Sequence, residues 1–209
     1  MLVAGIDGTK GGWVVVLLED GAFAADLIVH PIESSFDALR DVQVIAIDVP
    51  IGFGPRQADA AARAFVPGAA STVFTTARRE VLEMPFGPGL GVSAQSHALG
   101  PRIIHVTDLA RTDPRIFEVH AEVSFRAMND RRPLRHRKKS TGGALERVEL
   151  LRAHGIDLSG IGESSRAPLD DVLDAGAAAW SAHRIGSGLG VCLPDPPERV
   201  GDRDVAIWY

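Results

Sequence analysis

One cysteine is all this chain has. Cys192 can form no internal disulfide, and a solitary thiol suits a reducing, cytoplasmic compartment. Long apolar runs are missing too. No stretch approaches the ~20 residues that a membrane-spanning helix needs. Asp7 and Lys10 come too early in the chain for a secretory signal, so no membrane partner is expected. Positive charge is not in excess: 22 Lys and Arg against 27 Asp and Glu leave a formal net charge of −5. Overall charge therefore draws in no nucleic acid, and any polyanion must meet a local basic patch. A persuasive Ser-His-Asp or Cys-His set is also lacking. Apolar residues are present in ordinary measure, 45% of 209, enough for a sizeable core. The length suits a single domain over 1–209 with an inserted helical and loop region at about 55–112.

The apolar pattern predicts strands over 2–7, 13–18 and 22–30, the first two joined by a glycine-rich turn as a hairpin. A short helix is expected over 33–40. Residues 42–50, almost wholly apolar, read as a strand buried on both faces and ended by Pro50. Beyond the insertion, with helical character at 56–65 and in part of 93–106, residues 115–125 return to strand character. Helices are expected over 143–155 and 168–186, the latter with Pro168 near its start and Gly186 at its end. Residues 186–201, rich in Pro and Gly, read as loop, and the tail 203–209 as a short strand. Three antiparallel strands, a helix, a buried strand, an insertion, another strand and closing helices make a mixed α/β order, that of a ribonuclease H-like fold. The expected fold is a five-stranded sheet, three antiparallel strands plus parallel ones, flanked by helices.

Two aspartates end apolar strands. Along the first, Val3, Gly5 and Asp7 share a face; along the buried strand, Val44, Ala46 and Asp48 do. If these strands run parallel as neighbours, both carboxylates emerge at one edge, where they repel unless a cation sits between them. Mg²⁺ is the natural cation for such oxygen ligands. The plainer alternative is that each Asp caps a turn; Asp followed by Gly is a common turn former. Glu118, His120 and Glu122 fall on one face of the expected strand 115–125, as a polar stripe facing either a site or water. In "DDVLDAGAAAW", Asp171 and Asp174 lie on one helix face. The dipole favours anions in a first turn, but that benefit has faded at Asp174. The small residues Ala175 to Ala179 let this helix lie close to a sheet, within reach of Asp7 and Asp48.

Residues 126–139 hold seven of the 22 basic residues, among them Arg126, Arg131, Arg132, Arg135 and Arg137. In an acidic protein this excess is either a grip on a phosphate backbone or a solvated loop. Lys138 and Lys139, just before a helix, could hold one phosphate at its start. Aromatic residues are not interleaved with the charges, so base stacking is not indicated.

The segments "GIDGTKGGW", "AIDVPIGF", "IFEVHAEVSF", "DDVLDAGAAAW" and terminal "AIWY" together resemble the DUF429 family, described as predicted ribonuclease H-like nucleases. The resemblance spans nearly the whole chain. It includes "RQADAAAR" (Arg56, Asp59, Arg63), "STVF" at 71–74 and "KKSTGGALERVELL" at 138–151, and departs from the family in the alanines of 57–62. The Asp171, Asp174, Ala175 pattern also resembles the last acidic motif of bacterial Holliday-junction resolvases. The resemblance implies a nuclease that hydrolyses phosphodiester bonds in DNA or RNA with Mg²⁺ or Mn²⁺. Asp7, Asp48, Asp171 and Asp174 would be the metal ligands and Glu118 a further catalytic candidate. Lys10, Arg56, Arg63, Lys138 and Lys139 would be the phosphate contacts. One ion would activate water and a second, ~3.5–4 Å away, would neutralise the leaving oxygen.

Two other readings compete. "GIDGTKGGW" also looks like the first phosphate loop of actin-like kinases and ATPases, although those pair two such domains and a second loop is not evident. A non-catalytic member of the fold could bind nucleic acid or protein through the basic stretch. Oligomeric state is not readable, but Trp208 and Tyr209 need apolar surface to bury, in the core or in a partner.

Overall fold

The computed structural model describes residues 1–29, 39–201 and 203–209. Strands β1 (Leu2–Thr9), β2 (Gly12–Glu19) and β3 (Ala22–Val29) form an antiparallel meander. Its second turn is Asp20-Gly21, both with positive φ (51° and 86°), the backbone that matches strand twist in a two-residue hairpin. Strand β4 (Val44–Ile47) then pairs parallel to β1, and β5 (Ile116–Glu118) parallel to β4, giving the order β3-β2-β1-β4-β5. The expected mixed five-stranded sheet is therefore present. The helix expected over 33–40 falls largely outside the described residues.

Between β4 and β5 the chain forms helices α1 (Gln57–Phe65), α2 (Arg79–Glu83), α3 (Ala94–Ala98) and α4 (Gly100–Ala110). Helices α5 (Ala121–Met128), α6 (Thr141–Ala153) and α7 (Leu169–Gly186) follow β5. The alternation of β1 and β4 splits the core in two. Val3, Val44 and Ala46 pack beneath α7, whereas Ala4, Ile6, Ile45 and Ile47 pack beneath Ile103 and Val106 of α4. With both faces covered, β4 is buried throughout, as its unbroken apolar run requires.

Two expectations need correction. Residues 115–125 are not one strand: β5 stops at Glu118, and the His120 ring caps α5 by accepting from the Glu122 amide at 3.2 Å. Ala121, Phe125 and Met128 recur at helical spacing, and this period overrides the short alternation before it. Glu122 thus shares no face with Glu118; it is paired with buried Arg147 at 2.6 Å. Residues 186–201 are also not all loop. Strand β6 (Cys192–Val200) pairs antiparallel with β7 (Arg203–Trp208). Pro194, Pro196 and Pro197 mask it in the sequence, and a two-stranded ribbon with a register shift between Leu193 and Glu198 accommodates them. The tail finds its burial inside the chain: Tyr209 packs on Phe65 at 5.0 Å and Trp208 on Phe117 at 5.7 Å between ring centroids.

A buried carboxylate ties β3 to the turn before α7. Asp26 accepts from the amides of Gly162 (2.8 Å) and Ser164. Burial alone would raise its pKa, but the hydrogen bonds from Ser164 and Gly162 outweigh it and hold the group below its ordinary value. A depressed carboxylate stabilises the fold above the unfolded pKa of ~3.9, and that contribution is lost as pH falls through the folded value. Asp26→Asn should therefore cost about 1–3 kcal/mol at pH 7. In denaturant titrations the gap from wild type should narrow at pH 3; a gap that stays constant would mean the charge contributes nothing.

Candidate metal centre

Three elements bring carboxylates to one sheet edge. Asp7 follows Val3 and Gly5 on the α7 face of β1. The parallel register Gly5↔Ala46, Ile6↔Ile47 then puts Asp48, just past β4, on the same face and at the same edge. The amide of Asp48 continues the ladder to the Ile6 carbonyl at 2.9 Å. Asp174 descends from the second turn of α7, which lies directly on β1. A Cβ built on Gly5 would stand 2.0 Å from the Ala179 nitrogen and 2.2 Å from the Ala175 oxygen. One carboxylate oxygen from each of Asp7, Asp48 and Asp174 lies within 4.8 Å of the others. That span is close to the ~4.2 Å between opposite ligands of one Mg²⁺ at ~2.1 Å.

The electrostatics of this group are unfavourable without a cation. Burial first, then the charges of Asp48 and Asp174, raise the Asp7 pKa well above its ordinary value. Asp174 is 3% exposed. Burial raises its pKa as well, against the pull of Lys138. Its Oδ2 accepts from the Lys138 ammonium, while its Oδ1 is buried with no hydrogen-bond partner. A buried carboxylate with one orphaned oxygen, clustered with two further carboxylates, is what a hard, oxygen-seeking divalent cation fits. Asp7 Oδ1 accepts from the Gly8 amide at 2.7 Å, which fixes its rotamer. Asp171, one turn before Asp174, stands at the rim: Thr9 hydrogen-bonds to it, and Arg102 and Lys138 are its nearby cations.

Glu118 lies elsewhere. Its register partner is Ile47, so it faces the opposite side of the sheet from Asp48. There it accepts from the Ile51 amide at 2.7 Å and from Arg56 at 2.5 and 2.8 Å. Arg56 also grips Asp59, and all three residues are buried, so this is an internal ion-pair network under α1. Arg63 is half-buried and donates to the Val73 carbonyl at 3.1 Å and Thr75 at 3.2 Å. Lys10 stands exposed in the β1–β2 turn.

The space above Gly8 is not an open phosphate cradle. A Cβ there would meet Arg102 Nη1 at 2.6 Å. The Arg102 guanidinium donates to the Thr9 carbonyl and lies 5.3 Å from the Trp13 ring centre. Sequence alone marks neither Arg102 nor Thr9; the bare Gly8 beside them is the available signal.

The basic stretch is held to α6. Glu146 accepts from the amides of Arg135 (2.9 Å) and His136 (3.0 Å), and Ser140 caps the helix by accepting from Gly143 at 3.0 Å. Arg126, Arg135, Arg137, Lys138 and Lys139 line a cavity of about 510 Å³, and Lys138 links its wall to Asp174. Arg137 and Lys139 are exposed.

Strand order, strand direction and the edge-gathered aspartates define a ribonuclease H-like α/β protein with a carboxylate centre. Residues 5–199 match the family described as "Protein of unknown function (DUF429)", and the chain belongs to that family. Among solved structures it is similar to Thermus thermophilus RuvC, with 13% identity, a TM-score of 0.44 and coverage of 90% of this chain and 98% of that one. T. thermophilus RuvC in complex with a Holliday junction substrate is similar at 15% identity, with a TM-score of 0.39 and the same coverage. No curated protein sequence matches the chain. Among the described residues, no helix is long and apolar enough to cross a membrane.

Proposed function

We propose that this protein is a metal-dependent nuclease that hydrolyses phosphodiester bonds in DNA or RNA, with Mg²⁺ or Mn²⁺ as its cofactor. The observation that carries this reading is the meeting of Asp7, Asp48 and Asp174, the last with one buried oxygen left without a partner. These three residues would hold the ion, with Asp171 at the rim. A divalent cation supplies Lewis acidity there, activating water and neutralising phosphate charge. The protein's own part is geometric. The Gly8 amide orients Asp7, Lys138 orients Asp174, and the basic stretch offers Arg137 and Lys139 to the phosphates on either side. Water is the nucleophile, so one P–O bond forms as another breaks and no side chain is acylated or phosphorylated.

The test is cleavage of single-stranded, duplex and branched DNA and of RNA, with Mn²⁺ or Mg²⁺ and with EDTA. Cleavage that needs the metal and disappears in Asp48→Asn is the expected result. ATP hydrolysis without nucleic-acid cleavage would support the actin-like reading instead, which the filled space over Gly8 disfavours. Binding that survives Asp48→Asn, with no turnover by wild type, would make this a binding protein.

A further inference from the structure

We propose that the Lys138 ammonium occupies one of the two cation positions of the carboxylate centre, so that the site takes a single divalent ion. This rests on the metal-centre reading above and replaces the second ion expected by resemblance.

Asp174 is the decisive residue. In a site with two ions, a shared carboxylate gives one oxygen to each. Here Oδ2 is taken by Lys138 and Oδ1 remains buried without a partner. One oxygen is thus satisfied by a resident cation and the other is left for a single incoming one. Lys138 thereby stands at the cluster in which Asp7 and Asp48 meet Asp174.

Lys138 is not a surface lysine that has drifted inward. Its side chain is 31% exposed, and the backbone is fixed on both sides. The Arg137 carbonyl sits against Gly143, where an added Cβ would be 2.0 Å away. The Arg135 and His136 amides are held by Glu146, and Ser140 both caps α6 and donates to the Arg137 carbonyl at 2.8 Å. Charge agrees with this count. Counting Asp171 and its neighbour Arg102 at the rim, four carboxylates and two side-chain cations leave −2, which one divalent ion neutralises; a second ion would leave +2 in a half-buried site. An ammonium is a compact point charge with three donors, suited to sit against one carboxylate oxygen while facing a phosphate. Lys138 lines both basic cavities, of about 510 and 480 Å³, that open beside it.

The experiment counts Mn²⁺ by calorimetric titration and electron paramagnetic resonance on wild type, Lys138→Met, Lys138→Arg and Asp48→Asn, with circular dichroism as the check on folding. Wild type and Lys138→Arg should each bind one Mn²⁺ per chain. Lys138→Met should bind a second ion, or bind the first at least ~10-fold tighter, because a facing positive charge has gone. Two ions in wild type, or no change in either number or affinity in folded Lys138→Met, would overturn the proposal. Should wild type bind no Mn²⁺, or bind it undisturbed by Asp48→Asn, the metal-centre reading itself fails and takes this inference with it. The wild-type count stands even if Lys138→Met does not fold.

Discussion

Asp7→Asn is expected to abolish metal-dependent cleavage and, in the same molecule, to raise the melting temperature of the metal-free protein. Asp7 is held above its ordinary pKa by burial and by the charges of Asp48 and Asp174, with Lys138 as the chief counter-charge. Asparagine keeps the size of the side chain and the oxygen that accepts from the Gly8 amide at 2.7 Å. Folding therefore keeps its contacts and sheds a repulsion. A gain of about 1 kcal/mol is reasonable for relieving a site strained for function, or ~2–4 °C for a chain of this size. Cleavage should fall at least ~100-fold, the upper end of what losing a partner one shell outside a metal costs. Thermal melts in EDTA and in Mn²⁺ check this. In EDTA the variant should melt above wild type; in Mn²⁺ the order should reverse, because only wild type gains from the ion. A variant that melts below wild type in EDTA would show Asp7 to be a structural residue.

Asp7 and Asp48 are legible from sequence as neighbours at one edge because both end apolar strands, and a period of two assigns each to a face. Asp174 is legible because the residues after it are too small to keep α7 away from the sheet. Glu118 shows where such reasoning stops. Its own strand parity is readable, but its face relative to Asp48 depends on the pairing Ile47↔Glu118, a property of two segments about 70 residues apart. The end of β5 is hidden for a related reason. Val119, Ala121 and Val123 continue an alternation while Ala121, Phe125 and Met128 already follow a helix, and the His120 cap decides between them. Lys138 reads in sequence as a phosphate contact, yet its partner is Asp174, 36 residues on. Only the packing of the Arg137 carbonyl against Gly143 aims it there. Arg102 carries no signal in sequence, since nothing near it indicates that it crosses to the hairpin and fills the space that Gly8 leaves.

Gly5→Ala should be among the most damaging single substitutions in the protein, although it adds one methyl group and touches no charged residue. Gly5 faces α7 between Val16 of β2 and Ala46 of β4. The added carbon would meet backbone, the Ala179 nitrogen at 2.0 Å and the Ala175 oxygen at 2.2 Å, and no rotamer change can relieve a backbone clash. Either α7 lifts from the sheet or β1 buckles. Lifting α7 opens the layer where Ala175, Ala178, Ala179 and Ala182 are fully buried. The expected cost is about 3 kcal/mol or more, at or beyond the usual range for overpacking. The damage reaches the carboxylate cluster because Asp174 rides on the same helix as Ala175, while Asp7 is two residues from Gly5 on the same strand face. A lifted helix separates these carboxylates, so any folded Gly5→Ala protein should also bind Mn²⁺ less tightly than wild type. Gly87→Ala is the control, since a Cβ there meets nothing within 4 Å and should change stability by less than ~0.5 kcal/mol. Equal denaturation midpoints for Gly5→Ala and Gly87→Ala would mean that α7 does not rest on β1 as described, and the route by which Asp174 reaches Asp7 and Asp48 would be lost with it.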